Sequence, residues 1–251
     1  MPPVALNALD LDLDLAEAWP MPVGNASVGL PPTSSGTPAA ADTVGLERRS
    51  CVIVNPRNVA ILVFDDVEVL DFAGPHEVFS VAGDLVRPSP FYVYEVGLGG
   101  FPIIARGRLV VKPRYSIADC PDPDILVIPG GMGVRPLLKD ERLVEWIAER
   151  ASKAELTLSV CTGALFLAKA GLLAGLGATT HHGAFEHLAI LSPSTRIEKE
   201  ERYVEGSGRI VTSGGISAGI DMSLHVVERL LGPAARRTVE EEMEYGNWRD
   251  A

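Results

Sequence analysis

The residues of this chain that could do chemistry stand just after short apolar runs. Cys161 lies between the run Leu156-Thr-Leu-Ser-Val160 and the small residues Thr162-Gly163-Ala164. A buried strand that turns sharply into a helix at a cysteine forms a nucleophile elbow. The turn lifts the sulfur toward solvent, the orphan N–H groups at the helix start favour a thiolate, and Gly163 lets the backbone pack closely. A lone cysteine also reads as a small buried hydrophobe, so the neighbouring loops carry the decision. Cys51 and Cys120 precede no such helix start and are read as non-catalytic.

Gly130 and Gly131 follow Pro129 at the end of another apolar run. Without side chains, their N–H groups could face a ligand and stabilise developing negative charge as an oxyanion hole; a tight strand-to-helix turn needs the same glycines. Asp71, between Leu70 and Phe72, has two readings. Its carboxyl could be desolvated and hold a proton, or it could cap a helix opening at Pro75, which the segment alone favours. Asp65, Asp66 and Glu68 read as a solvated loop. His181 and His182 could supply a general base beside the thiol, or could be structural or substrate-lining, the reading their place before a helix favours. Asp221 reads as a buried, hydrogen-bonded structural aspartate rather than a catalytic one.

Positioning these residues requires alternating strands and helices. From Asn58 onward, apolar runs at 59–64, 91–96, 125–128, 156–160 and 210–212 predict buried strands. Three- and four-residue apolar spacing predicts helices at 74–81, 137–152, 162–170, 184–191, 217–231 and 234–245. That order predicts βαβ units and a mainly parallel sheet. Hairpins are predicted around Arg106-Gly107-Arg108 and Gly206–Gly208. Ligands bind beyond the carboxyl ends of such strands, which is where Asp71, Gly130, Cys161, His181 and Gly214 would converge.

Residues 1–57 differ. The alternating stretch Leu9-Asp-Leu-Asp-Leu-Asp-Leu15 gives way to Pro, Gly, Ser and Thr without a core-forming period, and is read as a disordered tail ahead of one α/β domain at 58–248. With 47% hydrophobic residues among 251, one substantial core is expected. A net charge of −11 would repel nucleic acid and anionic lipid, so neither is expected as a partner. The chain lacks a membrane-length apolar run and a secretory leader pattern, and its odd cysteine count suits a reducing compartment, so a cytoplasmic setting is expected.

The segments Leu70-Asp71-Phe72-Ala73-Gly74-Pro75, Val127-Ile128-Pro129-Gly130-Gly131, Ser159-Val160-Cys161-Thr162-Gly163-Ala164, Ala178-Thr179-Thr180-His181 and Ser217-Ala218-Gly219-Ile220-Asp221 together resemble the ThiJ/PfpI superfamily. The resemblance spans about residues 58–245 and is nearest to the isonitrile hydratase branch. It implies a three-layer, flavodoxin-like α/β sandwich, a homodimer, a small-molecule substrate, and neither metal nor cofactor. It further implies Cys161 as nucleophile, Asp71 as the acid/base carboxyl and Thr162 as a hydroxyl supporting the thiolate. The implied activity is hydration of an isonitrile to an N-substituted formamide. Another thiol enzyme of glyoxalase, deglycase or amidase type is the alternative, as is a sensor without turnover. Peptidase- and deglycase-like branches usually carry histidine or another residue after the cysteine and glutamate on the first loop, against which Thr162 and Asp71 argue. Departures from the hydratase pattern are Phe64-Asp65-Asp66, His182 where tryptophan is usual, and the long N-terminal segment. Similar domains open AraC-type regulators; ending at Ala251, this chain is expected to carry no helix-turn-helix module.

Overall fold

The apolar runs become the centre of one sheet in the computed structural model, which describes residues 55–246. The expected tail therefore lies outside the described residues except for its last few, of which Arg57 already opens the first strand. The strands are β1 (Arg57–Val63), β2 (Phe91–Gly97), β3 (Ile103–Ile104), β4 (Val110–Val111), β5 (Tyr115–Ser116), β6 (Ile125–Ile128), β7 (Leu156–Val160), β8 (Gly177–Ala178), β9 (Arg196–Ile197), β10 (Tyr203–Ser207) and β11 (Ile210–Ser213). Seven form the main sheet in the order β10-β11-β7-β6-β1-β2-β5. All its pairings are parallel except β10 with β11. Strands covered on both faces need apolar side chains at successive positions rather than alternate ones, and Ile125–Ile128 and Leu156–Val160 are buried throughout.

The helices are α1 (Val69–Leu85), α2 (Val134–Leu137), α3 (Glu141–Lys153), α4 (Ala164–Lys169), α5 (Phe185–Leu191), α6 (Ala218–Leu231) and α7 (Pro233–Glu242). α1, α6 and α7 pack together, and α3, α4 and α5 form a second group, giving the α/β sandwich expected. No helix among the described residues is long and apolar enough to cross a membrane.

Two helices differ from the sequence reading. The stretch predicted over 137–152 divides because Asp140 accepts from Arg142 N at 3.1 Å and Leu143 N at 3.4 Å, capping a new helix start. α1 begins at Val69 and carries Pro75 inside it. Asp71 is thus in the first turn and caps nothing; the residue ahead of the helix, Glu68, makes no side-chain cap bond either. Pro75 cannot donate to the carbonyl of Asp71 four residues back, so this turn forgoes one backbone bond. The Asp71 carboxylate, bonded to two backbone amides described below, anchors it instead.

The parallel register puts the ends of β1, β6, β7 and β11 at one edge. β8 is outside the main sheet, pairing only with β9. It is fastened to the sheet by Thr179 N donating to Thr212 Oγ1 at 2.9 Å. At the elbow, a Cβ on Gly163 would collide with the carbonyl oxygen of Ile128, so β6 and the turn after β7 approach more closely than any larger residue permits. Gly163→Ala is expected to cost about 3 kcal/mol of stability through this overpacking, measured by the urea midpoint.

Candidate active site

Cys161 is held in an unusual backbone state. Its φ of 58° lies in the left-handed region, which costs a residue with a Cβ about 1–2 kcal/mol. Two bonds fix the conformation: Cys161 N donates to Gly214 O at 3.0 Å, and the hydroxyl of Thr180 donates to the Cys161 carbonyl at 2.7 Å. The loops after β7, β8 and β11 are thereby tied at one point.

The sulfur is less exposed than an elbow leads one to expect, with the residue only 6% accessible. Burial, followed by the charge of Asp71, pushes the thiol up to about 12, although the N–H and hydroxyl of Thr162 act the other way. The helix after the turn is only six residues long, and its dipole does not overcome desolvation beside a carboxylate.

Asp71 faces this sulfur and is fully buried. Its Oδ2 accepts from Gly130 N at 3.1 Å and its Oδ1 from Ile216 N at 3.0 Å. Desolvation dominates and raises its pKa to about 6, while the hydrogen bonds from Cys161 and these amides oppose the rise. The raised pKa values of both groups favour a thiol directed at the carboxylate. Of the two readings of Asp71, the desolvated carboxyl agrees with this geometry.

The glycine amides expected to form an oxyanion hole are already committed. Gly130 N–H serves Asp71, and Gly131 N–H donates to Thr162 Oγ1 at 3.0 Å. With those acceptors in place, the pair orients the carboxylate and the hydroxyl. Gly131 has φ 129°, and a Cβ there would collide with Asp66 O. The turn reading holds with an added duty.

Cys161, Thr162, Gly131 and His181 line one pocket of about 390 Å³. His181 Nδ1 accepts from Gly183 N at 3.1 Å. Burial, then neighbouring His182, lowers its pKa; with Nδ1 accepting from Gly183 N, a neutral ring carries its proton on Nε2. His182 lies against His181 with centroids 4.1 Å apart and ring planes tilted by 32°, and it lines a neighbouring cavity with Lys199 and Phe185. Asp221 accepts from Arg202 Nε at 2.6 Å and from Tyr245 OH at 2.9 Å, hydrogen-bonded as expected but half-buried rather than buried.

Sequence reasoning missed four contributors. Glu68, assigned to a solvated loop, lines the pocket and pairs with Arg106 from the β3–β4 turn. Arg135 and Ile216 complete the walls. Ile216 gave no signal in sequence, since its amide is what it contributes. Among the described residues, no group of three or more His, Cys, Asp and Glu side chains is arranged to hold a metal.

The sequence profile of the DJ-1/PfpI family matches residues 57–229. Isonitrile hydratase of Pseudomonas putida is 36% identical over 187 residues, covering 74% of this chain and 78% of that protein. The transcriptional regulator GbdR of Pseudomonas aeruginosa is 26% identical, covering 76% of this chain, which spans about half (51%) of the regulator. Among solved structures, a ThiJ/PfpI family protein from Pseudomonas syringae superposes with a TM-score of 0.69 at 28% identity, covering 83% of each chain. Drosophila melanogaster DJ-1beta shares the fold, with a TM-score of 0.66 at 20% identity over 76% of this chain and 100% of that one.

Proposed function

The chain belongs to the DJ-1/PfpI family, and we propose that it hydrates an isonitrile to an N-substituted formamide, with Cys161 as the nucleophile. The observation that carries this reading is the Cys161–Asp71 couple: a buried thiol facing a buried carboxylate whose two oxygens are held by the Gly130 and Ile216 amides, an arrangement that favours one proton shared between them. An isonitrile needs that combination, because its terminal carbon must gain both a nucleophile and a proton. The 36% identity to an isonitrile hydratase supports the choice of substrate.

In the first step the sulfur forms a bond to the terminal carbon while its proton passes to Asp71. Asp71 then delivers this proton to the same carbon, giving a thioimidate. Water adds to that carbon, a water proton ends on nitrogen, and the C–S bond breaks with the remaining proton returning to sulfur. The sum is isonitrile plus water to formamide, with no oxidant or reductant. Splitting one difficult addition into two covalent steps lowers each barrier. Thr162 supports the developing thiolate through its N–H and hydroxyl, and His181 Nε2–H is suited to hydrogen-bond the substrate nitrogen. The reading goes with a small-molecule substrate, a homodimer, and a reducing compartment such as the cytoplasm, where Cys161 stays a thiol.

Purified protein given a panel of alkyl and aryl isonitriles should release the matching formamides, detected by mass spectrometry. No product across the panel would sink the substrate assignment. Similarity to GbdR favours a second reading, a small-molecule sensor, and saturable ligand binding without product would favour that one. A covalent adduct from a glyoxal or thioester would instead direct the thiol to other enzymatic chemistry.

A further inference from the structure

The β3–β4 hairpin carries a cation to the rim of the Cys161 pocket and is latched there. Asp66 N donates to Ile104 O at 2.8 Å, Ile104 N to Asp65 Oδ1 at 2.8 Å, and Arg106 N to Val67 O at 2.9 Å. The hairpin turn is pinned by Ala105 N to Leu109 O at 2.8 Å, and Gly107 and Arg108 take φ of 72° and 68°. These bonds leave the Arg106 guanidinium over the pocket, paired with the Glu68 carboxylate one helical turn ahead of Asp71. The ion pair spans 38 residues of sequence and joins a 65% exposed Arg106 side chain to a mostly covered Glu68 carboxylate, with two backbone–backbone bonds and one bond to the Asp65 side chain holding the hairpin in place.

We propose that Arg106 is a positioning residue whose charge, steered by Glu68, sets how readily the Cys161–Asp71 couple gives up its proton. The inference rests on the couple described under the proposed function, and concerns its proton rather than its substrate. The charged groups facing the couple are Glu68 just ahead of α1, Arg106 from the hairpin, Asp66 from the loop after β1, Arg135 from α2, and His181 with His182 tilted against it. From the α6 side come the Ile216 amide and Gly215. Of these, Glu68 raises the proton affinity of Asp71, and Arg106 senses the charges of both Asp71 and Cys161. A cation at this rim favours the anionic sulfur; an uncompensated Glu68 opposes it. The pair therefore works as an adjustable counter-charge: Arg106 cancels the carboxylate that stands nearest the acid.

The test uses iodoacetamide, a neutral probe that needs no isonitrile turnover, so the outcome is separable from the substrate assignment. The alkylation rate of Cys161 is followed by peptide mass between pH 5 and 9 for the wild type, Arg106→Gln, Arg106→Lys, Glu68→Gln and the double variant Arg106→Gln/Glu68→Gln. Circular dichroism and thermal midpoints report folding. Arg106→Gln should slow alkylation about three- to tenfold throughout this range, as a displacement of roughly half to one pKa unit requires. Arg106→Lys should stay within about twofold of the wild type, Glu68→Gln should react faster, and the double variant should return near the wild-type rate. An unchanged rate in Arg106→Gln overturns the proposal. So does an equal loss in folded Arg106→Lys, which would make shape rather than charge the operative property.

Discussion

Asp71→Asn is expected to lower turnover of an isonitrile by about 10²- to 10⁴-fold, the range typical of a lost proton-transfer group. Asparagine keeps the size of the side chain and can still accept one amide bond, but it cannot take the thiol proton and return it to carbon. The pH dependence of the wild type follows from the same residue. With Asp71 raised to about 6, the couple carries two protons at lower pH, and the carboxyl has no room for the proton that sulfur must release. Activity should fall as pH drops through about 6 and hold a plateau above it, because the thiol itself titrates near 12. Initial rates from pH 4.5 to 9 check this limb, and a residual Asp71→Asn rate that does not fall across pH 6 would assign the limb to Asp71.

Stability moves the opposite way with pH. The folded state holds the Asp71 proton up to about 6, whereas the unfolded chain releases it near 3.8. Between those values the folded form binds more protons, so stability declines as pH rises through the window. The decline amounts to on the order of 2–3 kcal/mol. Urea midpoints should therefore show the wild type losing ground relative to Asp71→Asn from pH 4 to pH 7. A site that weakens its own fold at the pH where it works is the trade expected of a buried catalytic carboxylate.

The frame around this couple was legible in sequence because it rests on local signals. Strands buried on both faces announce themselves as uninterrupted apolar runs, and β6, β7 and β11 lie where those runs stand. Cys161 could be singled out because a cysteine between such a run and Thr162-Gly163-Ala164 leaves few conformations open. What stayed hidden depends on contacts between distant residues. Pro75 is a good first residue of a helix, so the segment reads as a start there; only the bonds from Gly130 and Ile216 to Asp71 explain why the helix begins six residues earlier. Glu68 looks like any loop acid until Arg106 arrives from the hairpin. The Gly130 and Gly131 amides look available until their acceptors are seen. Two-residue strands such as β5, β8 and β9 are too short to carry a period at all.

Cys161 itself should separate catalysis from strain. Cys161→Ala and Cys161→Gly should both reduce turnover by about 10⁴-fold or more, since covalent catalysis is lost with the sulfur. Neither should be alkylated at position 161 by iodoacetamide. Their stabilities should differ, however, because the residue sits at φ 58°. Alanine keeps the Cβ that this region disfavours, whereas glycine has none. Cys161→Gly should therefore be the more stable of the two by about 1 kcal/mol, read from urea midpoints at pH 7. The comparison between the two variants cancels the loss of sulfur packing, which a comparison with the wild type would not. Equal midpoints would mean that the bonds from Cys161 N to Gly214 O and from the Thr180 hydroxyl do not hold the backbone in this region once the thiol is gone. A glycine variant more stable than alanine would mean that the fold maintains the strained turn for the sake of where it puts the sulfur: against Asp71 and facing the pocket.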